Sequence, residues 1–361
     1  MTIGRHRVTA SRARTWCIPT RATVASAYTL ESMRDVQMPT QRLGATRLVV
    51  SRLGLGLAAL GRPAYITLGR ERDFGVDRSV ANLERRCHEM LDAAYAAGIR
   101  YVDVARSYGM AENFLGKWLK TRNVSREAIT VGSKWGYTYA GSWRLDAPVH
   151  EVKALSLDTL QRQIAESRTI VGDYLQLYQV HSATLESKVL DNADVLRELM
   201  RLRSNGLVIG LTVTGPNQAD VIRRAVHVSI DGANPFQVVQ ATWNLLERSA
   251  APALAEAKDH GWGVIVKEAL ANGRLTDQAD GVHVKALQVE AVAHRATIDA
   301  LALAAALSQP WADVVLSGAV TTAQLESNLT ATTILREPTD WPNIAEVPTV
   351  YWAQRSNLAW Q

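Results

Sequence analysis

The sequence predicts an α/β fold, a (β/α)8 TIM barrel with an N-terminal β-hairpin and a C-terminal loop over the barrel mouth. Three observations predict it. Short apolar segments typical of buried parallel strands alternate with segments of helical periodicity. Eight such strand-helix units follow one another. Gly54 and Gly56 lack the third glycine of the Rossmann dinucleotide-binding turn, which leaves a doubly wound sheet as the second choice.

Composition supports one domain without a nucleic-acid or membrane partner. The chain has 361 residues, 47% hydrophobic and 21% charged, enough for one large core, so we expect a single barrel over residues 38–361. The formal net charge of +5 is spread among acidic residues, with no basic stripe interleaved with aromatic residues. The longest apolar stretch, residues 301–307, is too short to cross a bilayer.

The cysteines and the N-terminus bear on the compartment. Cys17 and Cys87 form neither a metal-binding spacing nor a disulfide framework, so we expect no metal and a reducing compartment such as the cytoplasm. Residues 1–37 are rich in arginine and serine, and no acidic residue precedes Glu31. That composition is typical of an organellar targeting peptide, and the alternative is a disordered tail or an over-long start before Met38.

The elements follow in order along the chain. From Gln41, two short β segments joined at Gly44 and Ala45 predict a hairpin. The eight barrel strands are predicted at residues 53–57, 101–104, 129–133, 175–180, 208–213, 236–241, 264–267 and 314–317. Helical periodicity marks residues 80–98, 112–120, 157–169, 193–203, 218–226, 253–260, 289–308 and 322–329. Residues 334–361 are aromatic and loop-like, and they either pack on the outer wall or fold over the mouth.

Four chemically distinctive residues come to one rim of this barrel. The active site of such a barrel lies at the carboxyl ends of its strands. The second strand ends in Asp103 with Tyr108 in the following loop, the third in Lys134 and the fourth in His181. Each alone has an ordinary structural interpretation, such as a loop cap, rim packing or a solvated charge. Together they predict a catalytic group.

These residue types suit proton transfer to a carbonyl oxygen. A phenol is a weak acid in water, and a neighbouring Lys134 ammonium is expected to lower the pKa of Tyr108. Asp103 would keep Lys134 charged despite burial. The ring N–H of His181 would hold the carbonyl oxygen and stabilise its developing negative charge. The set therefore favours reduction of a carbonyl group, or the reverse reaction.

Several longer stretches carry a family resemblance. They are RLGATRLVVSRLGLGL, YVDVARSYGMAENFLGKWL, TVGSKWG, YLQLYQVHSA, VVQATWNLLER, VIVKEALANGRL and SGAVTTAQLESNL. In this order they resemble the aldo-keto reductase superfamily over residues 41–329. The resemblance implies a catalytic tetrad at Asp103, Tyr108, Lys134 and His181. It also implies NADPH, less often NADH, as cofactor, and a small carbonyl compound or sugar-like alcohol as substrate.

The cofactor-binding positions of the family can be assigned in this sequence, but several carry different residues. The resemblance implies cofactor contacts at Gly56, Thr212, Gln240, Lys267, Leu270, Asn272, Gln324 and Asn328. Val213 replaces a usual Asn, and Lys267 and Glu268 stand where an aromatic residue and a Ser are common, so Trp243 is a candidate substitute for ring stacking. Residues 318–328 contain no Lys or Arg for a 2′-phosphate, which leaves Arg274 as a candidate and the choice between NADPH and NADH open.

The substrate pocket and the alternative functions follow from the same residues. Loops around Trp135 and Trp243 are predicted to shape the pocket. Lys267 and Glu268 also suggest a second function, a nicotinamide-binding redox sensor with little turnover. A third is a Schiff-base lyase that uses Lys134 or Lys267. The sequence leaves the substrate and the oligomeric state open.

Overall fold

A computed structural model describes residues 38–334, 337–338 and 340–361. The predictions for residues 1–37, Cys17 included, lie outside the described residues. The strands are β1 (Thr40–Arg42), β2 (Val49–Ser51), β3 (Leu53–Gly56), β4 (Tyr101–Asp103), β5 (Thr130–Trp135), β6 (Tyr137–Tyr139), β7 (Glu151–Lys153), β8 (Leu175–Ala183), β9 (Val208–Val213), β10 (Val238–Thr242), β11 (Gly263–Lys267) and β12 (Val314–Ser317). The helices are α1 (Arg70–Phe74), α2 (Val80–Ala96), α3 (Ala111–Thr121), α4 (Leu157–Val171), α5 (Ala193–Ser204), α6 (Gln218–Val226), α7 (Ala251–Asp259), α8 (Val282–His294), α9 (Ile298–Leu307), α10 (Thr322–Thr330) and α11 (Pro348–Ser356).

Eight parallel strands close into the predicted barrel, in the order β3, β4, β5, β8, β9, β10, β11 and β12. Closure occurs where β12 pairs with β3, through Val315 with Leu53 and Ser317 with Leu55. The strands are almost wholly buried because helices cover them outside and side chains fill them inside. The (β/α)8 prediction is confirmed.

The N-terminal hairpin of β1 and β2 closes the amino end of the barrel. Leu43, Leu48 and Val50 are buried in one cluster with residues from the barrel interior. Gly44 has a positive φ of 54°, and a Cβ there would lie 2.3 Å from the backbone nitrogen of Gly263. Only glycine permits this close approach of turn and strand. The carboxyl ends of the strands are therefore the open mouth.

One predicted helix is wrong. The segment 289–308 is not continuous, since α8 ends at His294 and α9 begins at Ile298. Arg295 takes a left-handed conformation with φ 51°, and the Thr297 side chain caps α9 by accepting from the backbone N–H of Ala300. The apolar residues of both helices hide this break from periodicity alone.

The C-terminal segment folds over the mouth, and it contains the helix α11 where only a loop was predicted. Backbone bonds join Tyr65 and Gln361 in both directions, at 2.9 and 3.1 Å. Arg274 forms an ion pair with Glu346. The hairpin of β6 and β7 was also missed, and its residue Glu151 reaches Arg62 at 2.7 Å. The mouth is thus covered by elements that lie outside the eight repeats.

In the part of the chain that the structure describes, no helix is long and apolar enough to span a membrane.

Candidate active site

A cavity of about 1270 Å³ opens among the carboxyl ends of the strands. Its wall includes Asp103, Tyr108 and His181 near one side and Gln324 and Asn328 of α10 at the other. This volume exceeds the range of roughly 300–1,000 Å³ typical of small-ligand pockets. The cavity can therefore hold an extended cofactor together with a small substrate.

Asp103 and Lys134 form a buried ion pair beneath the cavity. They come from the neighbouring strands β4 and β5, and each is at most 2% exposed. The ammonium of Lys134 donates to Asp103, to the carbonyl of Val104 at 3.1 Å and to the Tyr108 hydroxyl at 3.3 Å. The other Asp103 oxygen accepts from Tyr101 at 3.1 Å and from Gln240 at 2.8 Å. The pair is fully hydrogen-bonded, as a buried pair must be to persist.

Tyr108 is a neutral acid in this structure, which corrects one prediction. Burial, and then the Asp103 carboxylate, raise the pKa of the phenol well above 10, although the Arg62 guanidinium opposes the shift. The net shift of this pKa is opposite to the lowering expected from Lys134, whose ammonium is bound by Asp103. Tyr108 therefore keeps its proton at neutral pH and is available as a donor.

His181 is also neutral. Burial, and then the charges of Lys134 and Arg62, lower the pKa of its imidazole well below 6.5. The ring packs edge-to-face on Tyr108 and Tyr137, with centroids 5.6 and 4.9 Å away. Among the described residues its Nδ1 has no hydrogen-bond partner. A neutral ring retains one N–H, which can bind a substrate oxygen without carrying a charge.

Arg62 is a functional candidate that the sequence reasoning missed. It is 2% exposed, pairs with Glu151, and lies over the rings of Tyr65, Tyr108 and Trp360 at 5.3, 5.1 and 4.9 Å. It thereby joins the first loop, the β6-β7 hairpin and the C-terminal segment around the catalytic tyrosine candidate. The sequence signal that could have identified Arg62 is its position just after the first barrel strand.

A second charged group lies at the end of β11. Lys267 donates to the Thr242 hydroxyl at 2.7 Å, and its nearest carboxylate oxygen, in Glu268, is 4.0 Å away. Glu268 instead accepts from Thr242 at 2.9 Å and is bound by the Arg355 guanidinium of α11.

Burial and charge shift both pKa values in this group. Burial lowers the pKa of Lys267 to about 8, against the opposing effect of Glu268. Arg355, and then Lys267, lower the pKa of Glu268 to about 2 despite burial. Glu268 is thus ionised at neutral pH and carries one negative charge between two cations.

Most of the predicted cofactor residues line the cavity. They are Gly56, Gln240, Lys267, Leu270, Asn272, Gln324 and Asn328. Thr212 does not line it, because its hydroxyl lies behind the rim and accepts from the backbone N–H of Ser182 at 2.7 Å.

Asn272 joins two loops across the cavity. Its side chain donates to the carbonyl of Ile66 at 2.8 Å, and its backbone carbonyl accepts from Leu68 at 3.0 Å. Its remaining side-chain oxygen is buried and has no partner within the described residues. The loops that meet here enclose a ligand in the cavity, and that oxygen is available to a donor on the ligand.

Three predicted roles are corrected. Trp135 is fully buried and Trp243 packs edge-to-face on Trp311 at 5.8 Å, so neither lines the cavity and Trp243 does not replace a stacking ring. Arg274 is bound to Glu346 and lies over the Tyr351 ring at 5.5 Å, which commits it to the C-terminal segment. Arg295 lines the cavity near α10 instead.

Comparison with known proteins agrees with this geometry. The model of the Aldo/keto reductase family matches residues 53–348. The NADH-specific methylglyoxal reductase of Escherichia coli is 26% identical over 81% of this chain and 93% of its own length. Norsolorinic acid reductase of Aspergillus flavus is 29% identical over 49% of this chain, and the match spans 46% of that relative.

Solved structures show the same fold. An aldo-keto reductase from Bacillus halodurans, in its holo form, superposes with a TM-score of 0.63 at 21% identity, covering 88% of this chain and 96% of the other. An aldo-keto reductase from Pseudomonas aeruginosa gives a TM-score of 0.60 at 22% identity, over 84% and 98%.

Proposed function

This chain belongs to the aldo/keto reductase family, and from that premise we propose that it reduces the carbonyl group of a small aldehyde or ketone with NADPH or NADH. The observation that carries the proposal is the buried arrangement of Tyr108, Lys134, Asp103 and His181 at the cavity floor. It combines a neutral proton donor, a fixed ammonium and a neutral imidazole within one small volume.

The residues divide the work of proton transfer. The nicotinamide cofactor, when bound, supplies the hydride that the carbonyl carbon gains. Tyr108 gives its proton to the carbonyl oxygen, and the Lys134 ammonium at 3.3 Å stabilises the phenolate that remains. Asp103 accepts a hydrogen bond from the Lys134 ammonium and holds it in place. His181 orients the oxygen through its ring N–H, and water restores the proton of Tyr108 afterwards.

The cavity fits a dinucleotide cofactor. Gln240 lies at the rim beside Asp103, where it would hold the carboxamide. The buried and unpartnered oxygen of Asn272 and the backbone of Leu270 lie farther along, and the amides at the start of α10 would face a phosphate. Gln324 and Asn328 would contact the adenosine.

The choice between NADPH and NADH rests on the cavity end near α10. Arg295 is the cation that lines this end, and it would replace Arg274 as partner of a 2′-phosphate. Asp299 and Asp277 also line the cavity and would disfavour that phosphate. We propose NADPH as cofactor with NADH as the alternative, and parallel fluorescence titrations of the two reduced nucleotides distinguish them.

The covering elements favour a small, polar substrate. Tyr137, Trp360, Arg62 and Glu151 face the cavity above Tyr108 and leave aromatic surfaces bordered by charges. Such a lining suits hydroxyaldehydes, dicarbonyls and sugar-like compounds. The name of the Escherichia coli relative, a methylglyoxal reductase, supports the same class.

The decisive experiment is Tyr108→Phe, assayed with NADPH and NADH against a panel of aldehydes. We expect turnover to fall by about 10²- to 10⁴-fold, the range for loss of a general acid, while cofactor binding persists. Tyr95→Phe, the same change on the outer helix α2, serves as the matched control. Unchanged turnover in Tyr108→Phe would refute the assignment. Slow single turnover with retained cofactor in the unmodified protein would favour the redox sensor instead.

A further inference from the structure

We infer, on the basis of the proposed function, that Lys267 makes the site distinguish the redox states of the nicotinamide ring. The oxidised ring is a cation and the reduced ring is neutral. A fixed positive charge in the wall disfavours the cation and leaves the neutral ring unaffected. The site should therefore bind the reduced cofactor in preference to the oxidised one, through a residue distinct from the catalytic tetrad.

The first step is where the ring must lie. Hydride transfer requires the ring next to a carbonyl whose oxygen is held between Tyr108 and His181. Gln240 and Lys267, from the neighbouring strands β10 and β11, are part of the same cavity wall, and Lys267 is among the charges that lower the pKa of His181. A ring that reaches the carbonyl therefore lies beside the side chain of Lys267.

The second step is the charge at that wall. Lys134 is neutralised by Asp103, Arg62 by Glu151, and Glu268 is bound by Arg355. Lys267 shares its carboxylate partner, because the Glu268 oxygen 4.0 Å away is also bound by Arg355. Lys267, Glu268 and Arg355 together carry one net positive charge.

The third step is that this charge is fixed. Thr242 accepts from Lys267 at 2.7 Å and donates to Glu268 at 2.9 Å, so a neutral hydroxyl separates the two charged groups. The Lys267 side chain is 16% exposed and the Glu268 side chain 8%. Water therefore screens the ammonium only weakly, and its effect on a neighbouring charge is large compared with that of a surface lysine.

Arg355 has a positioning role in this arrangement. Its guanidinium occupies Glu268 and thereby prevents that carboxylate from neutralising Lys267. Removal of Arg355 frees Glu268 to move toward the ammonium. The C-terminal helix α11 thus acts on cofactor selectivity through Glu268 without being part of the predicted tetrad.

The test measures the Kd of NADH and NAD⁺, and of NADPH and NADP⁺, by calorimetry on the full chain. For the pair that binds, we expect the ratio of oxidised to reduced Kd to fall about tenfold in Lys267→Met, as loss of one nearby charge implies. Arg355→Met should lower the ratio in the same direction, and Lys267→Arg should preserve it. Lys285→Met makes the same change on the exposed face of α8, outside the cavity wall, and should leave the ratio unchanged.

The outcomes separate this inference from the proposed function. If both redox forms bind and Lys267→Met leaves the ratio unchanged, the role of Lys267 is refuted while the proposed function survives. An equal fall in Lys285→Met would show a long-range effect of net charge and would also refute it. If no nicotinamide dinucleotide binds the unmodified protein, the proposed function fails and the inference fails with it.

Discussion

Two lysines at the ends of barrel strands, Lys134 buried and Lys267 partly buried, have different surroundings. Lys134 in β5 forms a close ion pair with Asp103, and three oxygen atoms accept its hydrogen bonds. Lys267 in β11 bonds to one neutral hydroxyl, and a competing arginine holds the carboxylate 4.0 Å away. The first region is electrically neutral and the second retains one positive charge.

This difference shows that the ion-pair partner, and not the residue type, decides the electrostatic role of a lysine at the barrel rim. A paired ammonium is held in place and can stabilise a charge that appears only during proton transfer. An ammonium whose carboxylate partner is shared with another cation acts on whatever charge the ligand already has. Both lysines lie at the same rim and both follow an apolar strand, so the sequence pattern alone does not separate them.

The largest expected effect is a loss of stability when the ion pair of the first region is broken. Lys134→Met leaves the Asp103 carboxylate buried with Tyr101 and Gln240 as its hydrogen-bond donors. We expect the free energy of unfolding to fall by about 3–5 kcal/mol, the cost of an uncompensated buried charge. Urea denaturation measures it. Lys267→Met is the control, and its change should stay within about 1 kcal/mol because Glu268 keeps Arg355. Equal losses of unfolding free energy in both variants would contradict the difference between the two lysines.

The second-largest expected effect is that acid destabilises the second region, the group of Lys267, Glu268 and Arg355. The pKa of Glu268 is lowered from the ordinary 4.5 to about 2 in the folded protein, so its contribution is complete above pH 4.5 and is lost as the pH falls toward 2. That contribution is about 3 kcal/mol. We expect the stability advantage of the unmodified protein over Glu268→Gln to shrink between about pH 5 and pH 3. Denaturation curves across this interval check it, and a constant difference would contradict it.

Removal of Arg355 should have a smaller effect. In Arg355→Met, Glu268 keeps Thr242 and gains access to Lys267, so we expect a loss of about 1–2 kcal/mol. Thermal unfolding of the two single variants, Glu268→Gln and Arg355→Met, and of the double variant gives the coupling energy between the two residues. If the losses in the two single variants simply add, the ion pair does not hold α11 to the barrel.

The smallest effect concerns alkaline pH. The pKa of Lys267 is about 8, with Glu268, Arg355, Lys134 and Asp103 as the charged groups that face it. Below that pH the ammonium disfavours the oxidised cofactor, and above it the neutral amine does not. We expect the oxidised-to-reduced Kd ratio to fall as the pH rises through about 8 in the unmodified protein. It should stay flat in Lys267→Met, and parallel profiles would contradict the assignment.

The barrel could be predicted from sequence because its signals are local. Each strand is a short apolar segment, and a helix such as α5 has clear periodicity and a polar cap, Asn192. The break between α8 and α9 was not predicted, since helical periodicity extends over both segments and the break depends on the left-handed conformation of one residue, Arg295. The β6-β7 hairpin and α11 were missed because tertiary contacts at the mouth stabilise them.

The tetrad was found because three of its members lie near the ends of successive strands and Tyr108 lies in the loop after the first of these, which turns chain order into proximity. The structure brings these four residues together, whereas their catalytic roles remain predictions. The sequence showed Lys267 and Glu268 as an unusual pair. Their interaction with Arg355 could not be predicted, since Arg355 lies 87 residues beyond Glu268. The misplaced tryptophans show the converse. Trp135 and Trp243 flank the rim in sequence, yet their rings point into the core.

The seam between β3 and β12 has a consequence for biosynthesis. The first barrel strand receives one of its two neighbours only when Val315 and Ser317 have been made, after the six barrel strands that lie between them in the chain. Until then the nascent chain carries an open sheet with two unpaired edges and an incompletely covered apolar interior. Such an intermediate is prone to aggregate, and closing contacts so distant in sequence are slow to form. Slower synthesis at reduced temperature should therefore raise the yield of folded protein.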